Sequence, residues 1–251
     1  MAMEILGIRF EKQTVEEYQA VLRHFLKSGK GRMVVTPNPE MLVEARRSPA
    51  LRDVLNRADL RLVDGVGIVV AGRIVRETLH RYTGVDALYF LARECSESGL
   101  KMLLAGGLHA DDADRAMEAF LELFPNLDIC AHGGGLITLQ GGLWVGDDAL
   151  KQAIMKERPD VLALGLGHGK QELWLSDHLD QFPFLRLAIG VGGAIEFYSG
   201  RQVRAPNWMR DRGLEWLYRL VREPGRILRI FRAVVLFPAL VLFERIGHNR
   251  G

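Results

Sequence analysis

Cysteine is scarce in this chain. Cys95 and Cys130 are the only two, and neither has a second Cys or a His at the spacing of a zinc site. Each sits in an apolar stretch, so both are expected to be reduced thiols in a core, which fits a reducing compartment. A surplus of one charge is lacking too. With 33 Lys and Arg against 31 Asp and Glu, a net charge of +2 provides no global field for holding a nucleic acid. The opening residues, MAMEILGIRFEK, have no basic segment followed by a long apolar one, so no export signal is read and a cytoplasmic location is expected. Solenoid repeats are absent, no Gly-x-Ser-x-Gly elbow points to a serine hydrolase, and the seven histidines form no cluster.

What is present is the composition of an ordinary globular enzyme: 251 residues, 48% hydrophobic and 25% charged. That length suits one large domain, with or without an appendage. Short apolar runs at 4–8, 33–35, 60–63, 101–105, 127–131, 161–165 and 187–191 read as strands. Many lack polar alternation, as strands covered on both faces do. Helical spacing fills 15–28, 39–57, 85–98, 111–124, 147–157 and 170–181. The alternation predicts an α/β fold: a Rossmann-like, mainly parallel sheet with helices on both faces over residues 1–200. Ligands of such folds gather at the carboxyl ends of the strands. Here those ends carry Thr-Pro-Asn at 36–38, Asp-Gly-Val-Gly at 64–67, Gly-Gly at 106–107, Gly-Leu-Gly-His-Gly at 165–169 and Gly-Val-Gly-Gly at 190–193.

Composition changes after residue 200. From 201 to 232 nine arginines face three acids, a local excess of six positive charges in a balanced chain. On a helical wheel Arg219, Arg222, Arg226 and Arg229 fall within roughly 80° of one another, opposite Leu217, Leu220, Val221, Leu228 and Phe231. Pro224 interrupts this stripe and would open a second short helix. An apolar run of eleven residues follows at 233–243. As a helix it would measure about 17 Å against a hydrocarbon core of about 30 Å, so it is expected to lie in the membrane interface without spanning. The plain alternative is a C-terminal helix packed on the domain. One-sided arginines beside an apolar run favour a membrane-contacting helical appendage over 201–251.

The loop Gly-Leu-Gly-His-Gly-Lys-Gln at 165–171 has two readings: a tight turn from strand to helix, or a pyrophosphate contact through backbone N–H groups with Lys170 and Gln171 beside it. It is no Walker A loop, having Leu164 in place of the first glycine and Gln171 in place of Ser or Thr. Lys170 also displaces the third glycine of the dinucleotide fingerprint, which disfavours a nicotinamide-dependent oxidoreductase. Asp-Ala-Asp at 112–114 looks like a metal-binding pair, but acids in a first helical turn are the rule, so no metal is assigned. Asp64 ends an apolar strand, either as a turn residue or as a base for an acceptor hydroxyl.

In their joint order, Thr-Pro-Asn-Pro-Glu-Met at 36–41, the stretch 58–67, Arg-Tyr-Thr-Gly-Val-Asp at 81–86, 165–172, 190–200, 204–209 and 213–220 resemble the WecG/TagA/CpsF glycosyltransferase family over nearly the whole chain. The resemblance implies an inverting transfer, without metal or other cofactor, from a UDP-sugar to a polyprenyl-diphosphate-linked sugar in cell-surface polysaccharide synthesis. N-acetylmannosamine, its uronic acid and glucose are the donor sugars it leaves open. It implies Asp64 as general base, with Thr36, Arg81 and Gln171 also in the catalytic set. Arg81 would meet a phosphate and Gln171 the donor. Asn38, Gly65, Asp86, Gly107, Gly165, Gly167, Lys170, Gly192 and Gly193 would bind substrate. Arg212, Arg219 and Arg222 would meet the lipid diphosphate from an appendage that touches the inner face of the plasma membrane. Nucleic acid is not expected as a partner, and a homo-oligomer is left open. Two departures stand out. Gly169 occupies a place where the family often has proline, which is expected to loosen the loop. Tyr82 replaces a small aliphatic residue and is expected to alter the pocket. The rival from another class is a non-catalytic scaffold that binds a nucleotide or a lipid headgroup.

Overall fold

In chain order the strands are β1 (Ala2–Ile5), β2 (Ile8–Glu11), β3 (Arg32–Val35), β4 (Leu60–Arg61), β5 (Met102–Gly106), β6 (Ile129–His132), β7 (Thr138–Gln140), β8 (Leu143–Val145), β9 (Val161–Gly165) and β10 (Leu187–Gly190). The helices are α1 (Val15–Ser28), α2 (Pro39–Ala45), α3 (Pro49–Arg57), α4 (Val66–Ile74), α5 (Gly84–Ser98), α6 (Asp112–Leu123), α7 (Asp148–Glu157), α8 (Lys170–His178), α9 (Ala194–Tyr198) and α10 (Phe237–His248). They come from a computed structural model that describes residues 2–202 and 231–248, with Pro206, Met209, Leu217 and Tyr218 between.

Six strands form one all-parallel sheet in the order β4-β3-β10-β9-β5-β6. Successive residues send side chains to opposite faces, and both faces are covered. Leu162 and Leu164 of β9 join one core with α2, α3, α4, α7, α8 and α10; Val161 and Ala163 join the other with α1, α5, α6 and α9. This doubly covered α/β sheet is the expected architecture.

Local chemistry sets the boundaries. Thr14 and Glu17 close a capping box at the start of α1, and Gly29 ends it in the left-handed region at φ 65°. The single helix expected over 39–57 is two, because Ser48 caps Leu51 N–H and Pro49 opens α3. The strand expected at 4–8 is instead a hairpin, β1 paired antiparallel with β2 about a Leu6–Gly7 turn with both φ positive. A second hairpin, β7 with β8, turns on Gly141 and Gly142. Cys95 is fully buried and Cys130 half-buried, both as free thiols; burial pushes them up to about 12 and about 11.

The arginine stripe falls outside the described residues. The apolar run beyond it does not. Arg232–Leu236 forms a π-helical segment continuous with α10, and both pack on the body, with Phe237 and Val241 entering the core beside α2 and α4. No helix among the described residues is long and apolar enough to cross a membrane.

Candidate active site

One cavity of about 300 Å³ opens at the carboxyl ends of the parallel strands, and its wall is assembled from distant stretches of chain. Thr36 follows β3, Asp64 follows β4, Gly107 follows β5, Gly165 ends β9 and Gly192 follows β10. This is where an open parallel sheet leaves loops free to meet a ligand. Asp64 is held at its rim by its own N–H, which donates to the Pro37 carbonyl at 3.1 Å. Tyr82 N–H donates to Val63 O at 3.0 Å, and this brings Arg81 alongside the strand end that bears Asp64. Carboxylate and guanidinium thus share one wall.

The opposite wall is glycine-rich. Gly107 N–H donates to Gly165 O at 2.9 Å, and Val191 N–H donates to Leu164 O at 3.0 Å, so the three turns lie against one another. Thr36 is almost wholly buried, and its hydroxyl donates to Gly190 O at 2.8 Å. That hydroxyl can still accept a hydrogen bond from a ligand. Asn38 caps α2, with Oδ1 taking Met41 N–H at 3.0 Å.

Of the sequence-predicted residues, the structure brings Thr36, Asn38, Asp64, Arg81, Gly107, Gly165, Gly167, Gln171, Gly192 and Gly193 to this cavity. Gly65, Asp86 and Lys170 do not line it. Gly65 opens α4. Asp86 accepts from the Thr83 hydroxyl at 2.6 Å as the capping box of α5, and it is Thr83 that lines the cavity. Lys170 Nζ turns to the Ile137 carbonyl at 3.3 Å. Arg212, Arg219 and Arg222 lie outside the described residues.

Both expected departures resolve differently. Tyr82 is buried and stacks on Tyr18 of α1 at 6.0 Å, and burial pushes its phenol up to about 12; it reaches the core and not the pocket. Gly169 has φ 80°, which proline cannot adopt, and its N–H donates to the buried carboxylate of Glu172 at 2.7 Å. The loop is pinned, not loosened. Asp112 is equally committed. Its two oxygens take His109 N–H at 2.7 Å and Arg201 Nε at 2.8 Å. Among the described residues no group of His, Cys, Asp and Glu is arranged to hold a metal.

Sequence reading missed Glu40, Thr83, His168, Glu196 and Gln202 in the lining, along with apolar Leu108 and Phe197. His168 faces Glu44 at 3.3 Å on the rim. It also missed Glu172 beneath the loop. A Glu three residues after the last loop glycine has capping-box spacing, and that signal would have found it.

Relatives from Staphylococcus aureus strains MRSA252, MW2 and NCTC 8325 are each 29% identical over 231 residues, 91% of this chain and 87% of theirs. Each is named N-acetylglucosaminyldiphosphoundecaprenol N-acetyl-beta-D-mannosaminyltransferase. The model of the glycosyl transferase WecG/TagA/CpsF family matches residues 3–251, so this chain belongs to that family and is a glycosyltransferase.

Proposed function

We propose that this protein transfers N-acetylmannosamine from UDP to a polyprenyl-diphosphate-linked N-acetylglucosamine, with inversion, in cell-surface polysaccharide synthesis. The observation that carries the proposal is the cavity in which Asp64 and Arg81 stand with glycine-rich turns, in a chain of this family. Of the three donor sugars left open, N-acetylmannosamine is the one supported by the relatives' names. UDP as carrier and a polyprenyl diphosphate as acceptor anchor are part of the same reading.

The chemistry is one displacement. The acceptor hydroxyl oxygen bonds to the anomeric carbon as the bond from that carbon to the β-phosphate oxygen breaks, and the hydroxyl proton passes to the Asp64 carboxylate. UDP leaves with the bonding electrons. Charge growing on its phosphate is met by Arg81 and by N–H groups of the turns at 165–169 and 190–193. Asn38 and Thr36 supply hydrogen bonds to the bound nucleotide sugar. The exposed apolar side chains at the C-terminal end would rest on the inner face of the plasma membrane, where the lipid-linked acceptor is presented.

The test is UDP release from a panel of UDP-sugars, with and without a short-chain prenyl-diphosphate N-acetylglucosamine. Release from UDP-N-acetylmannosamine only with acceptor is the expected result. Asp64→Asn should lower that turnover by about a thousandfold while sparing donor binding. Wild-type-like turnover in the variant would sink the role of Asp64. Binding of UDP-sugars without release across the whole panel would instead favour the non-catalytic scaffold.

A further inference from the structure

Beneath the two glycine-rich turns runs a chain of hydrogen bonds that ends on a carboxylate outside the cavity. Glu172, with no exposed surface, accepts Gly169 N–H at Oε2 and Gln171 Nε2 at Oε1, both at 2.7 Å. Gln171 is buried as well, and its Oε1 accepts Gly192 N–H at 3.2 Å. Packing against this pair is tight. A Cβ on Gly190 would stand 2.7 Å from Gln171 Nε2 and 2.9 Å from Glu172 Oε1. The second turn therefore rests directly on the two side chains.

The direction of each bond follows from the chemistry of the groups. An ionised carboxylate only accepts, so Gln171 must present its NH2 to Glu172, which aims its carbonyl at Gly192 N–H. A protonated Glu172 still accepts from Gly169 with one oxygen, but its hydroxyl donates with the other. Gln171 then turns its carbonyl to that hydroxyl. Its NH2 faces Gly192 N–H, donor against donor, and the second turn loses its acceptor.

We propose that Glu172 is a positioning residue that sets the amide orientation of Gln171 and, through it, the turn at 190–193, so that the pocket is assembled only while Glu172 is ionised. Its consequence for a ligand rests on the donor-site reading above; the coupling of the two turns does not. Burial pushes the Glu172 carboxyl up to about 6, against the opposing effect of its hydrogen bonds from Gln171 and the α8 backbone. His168, which pairs with Glu44 of α2, lowers the Glu172 value, while Glu40, Asp64, Arg81 and Glu196 line the cavity. Acidification through this range is expected to release the second turn.

Glu172→Gln holds the released arrangement at every pH. The new amide gives its oxygen to Gly169 N–H, so its NH2 faces Gln171 and forces the same rotation. Backbone hydrogen exchange of the full chain, corrected for intrinsic rates, tests this. In E172Q, exchange at 190–194 should rise about tenfold or more with no fall in thermal stability. Unchanged protection there overturns the proposal, as does a general loss of protection throughout the chain with a lower Tm. Gln171→Ala is the second variant. It should free 190–194 while 165–170 stays protected, and equal effects on both turns would overturn the coupling. Affinity for UDP-N-acetylmannosamine, whose diphosphate diester does not titrate in this range, should fall about tenfold in the wild type on acidification through about 6, and be low and flat in E172Q. If exchange behaves as expected but the wild type binds no UDP-sugar, the coupling stands and the donor reading fails.

Discussion

Two apolar runs of this chain look alike in composition and end in different surroundings. The five residues of β9, Val161–Gly165, are all buried, because a central strand meets a helical layer on each face. The run at 233–243 is helical and lies at the outside of one layer. Only Phe237 and Val241, four apart and so on one stripe, are buried; Val235, Leu242 and Phe243 remain exposed, as does Phe231 just before them. Hydropathy alone reports how apolar a segment is and not how many of its sides are covered. The inner stripe of this helix belongs to the core, while its outer face leaves Val235, Leu242 and Phe243 exposed.

Substitutions graded along this difference should show it. Leu164→Ala in β9 opens a cavity in a layer that cannot close over it, and should cost about 3–5 kcal/mol in denaturant unfolding. Phe237→Ala should cost somewhat less, about 3 kcal/mol, because one stripe on an outer helix can shift to fill the gap. Equal losses would mean that α10 is as tightly enclosed as the sheet. No loss at Phe237 would mean that the tail is not part of the folded core.

A smaller effect separates stability from function at Glu172. Its carboxyl is raised in the fold to about 6 from 4.5, so the folded chain holds this proton more tightly than the unfolded one. The stabilisation this gives is complete below 4.5 and is lost as pH rises through about 6, leaving a burial cost of about 2 kcal/mol above it. The Tm of E172Q relative to wild type should therefore climb between these values and then level off. A relative Tm that is flat with pH would show that Glu172 does not titrate in this range. Opposite signs for stability and donor affinity are what a residue retained for positioning produces.

The central scaffold was legible in the sequence for a physical reason. Strands covered on both faces must be apolar throughout, and α1 carries its own start and stop in Thr14, Glu17 and Gly29. Helical periodicity does not by itself report a break, so α2 and α3 read as one helix until Ser48 and Pro49 are weighed as a cap. Helix α4 escaped notice because Gly65 opens it without a side-chain cap. At the site, the glycine turns and Asp64 were visible as strand ends. Glu196 and Gln202 reach the cavity only through tertiary packing, whereas Thr83 carries a local mark in its capping box with Asp86. Lys170 looked like a phosphate contact from its place in the loop, yet the direction of its side chain was set by a carbonyl 33 residues away.

The least perturbing change concerns the outer face of α10. Ending the chain at Gly200 would remove Phe237 and Val241 from the core, and any loss of membrane binding would then be mixed with loss of structure. Leu242→Ser with Phe243→Ser leaves that stripe alone. Both side chains are already exposed, so stability should stay within about 0.5 kcal/mol of wild type. Transfer of a Leu and a Phe into the interface is worth about 1.5–3 kcal/mol each when complete, so even partial insertion makes the double variant bind vesicles at least about tenfold more weakly. Co-sedimentation with vesicles containing phosphatidylglycerol measures this. Equal sedimentation of the two proteins would show that this face does not meet the lipid, leaving the basic segment before it to make any contact with the bilayer.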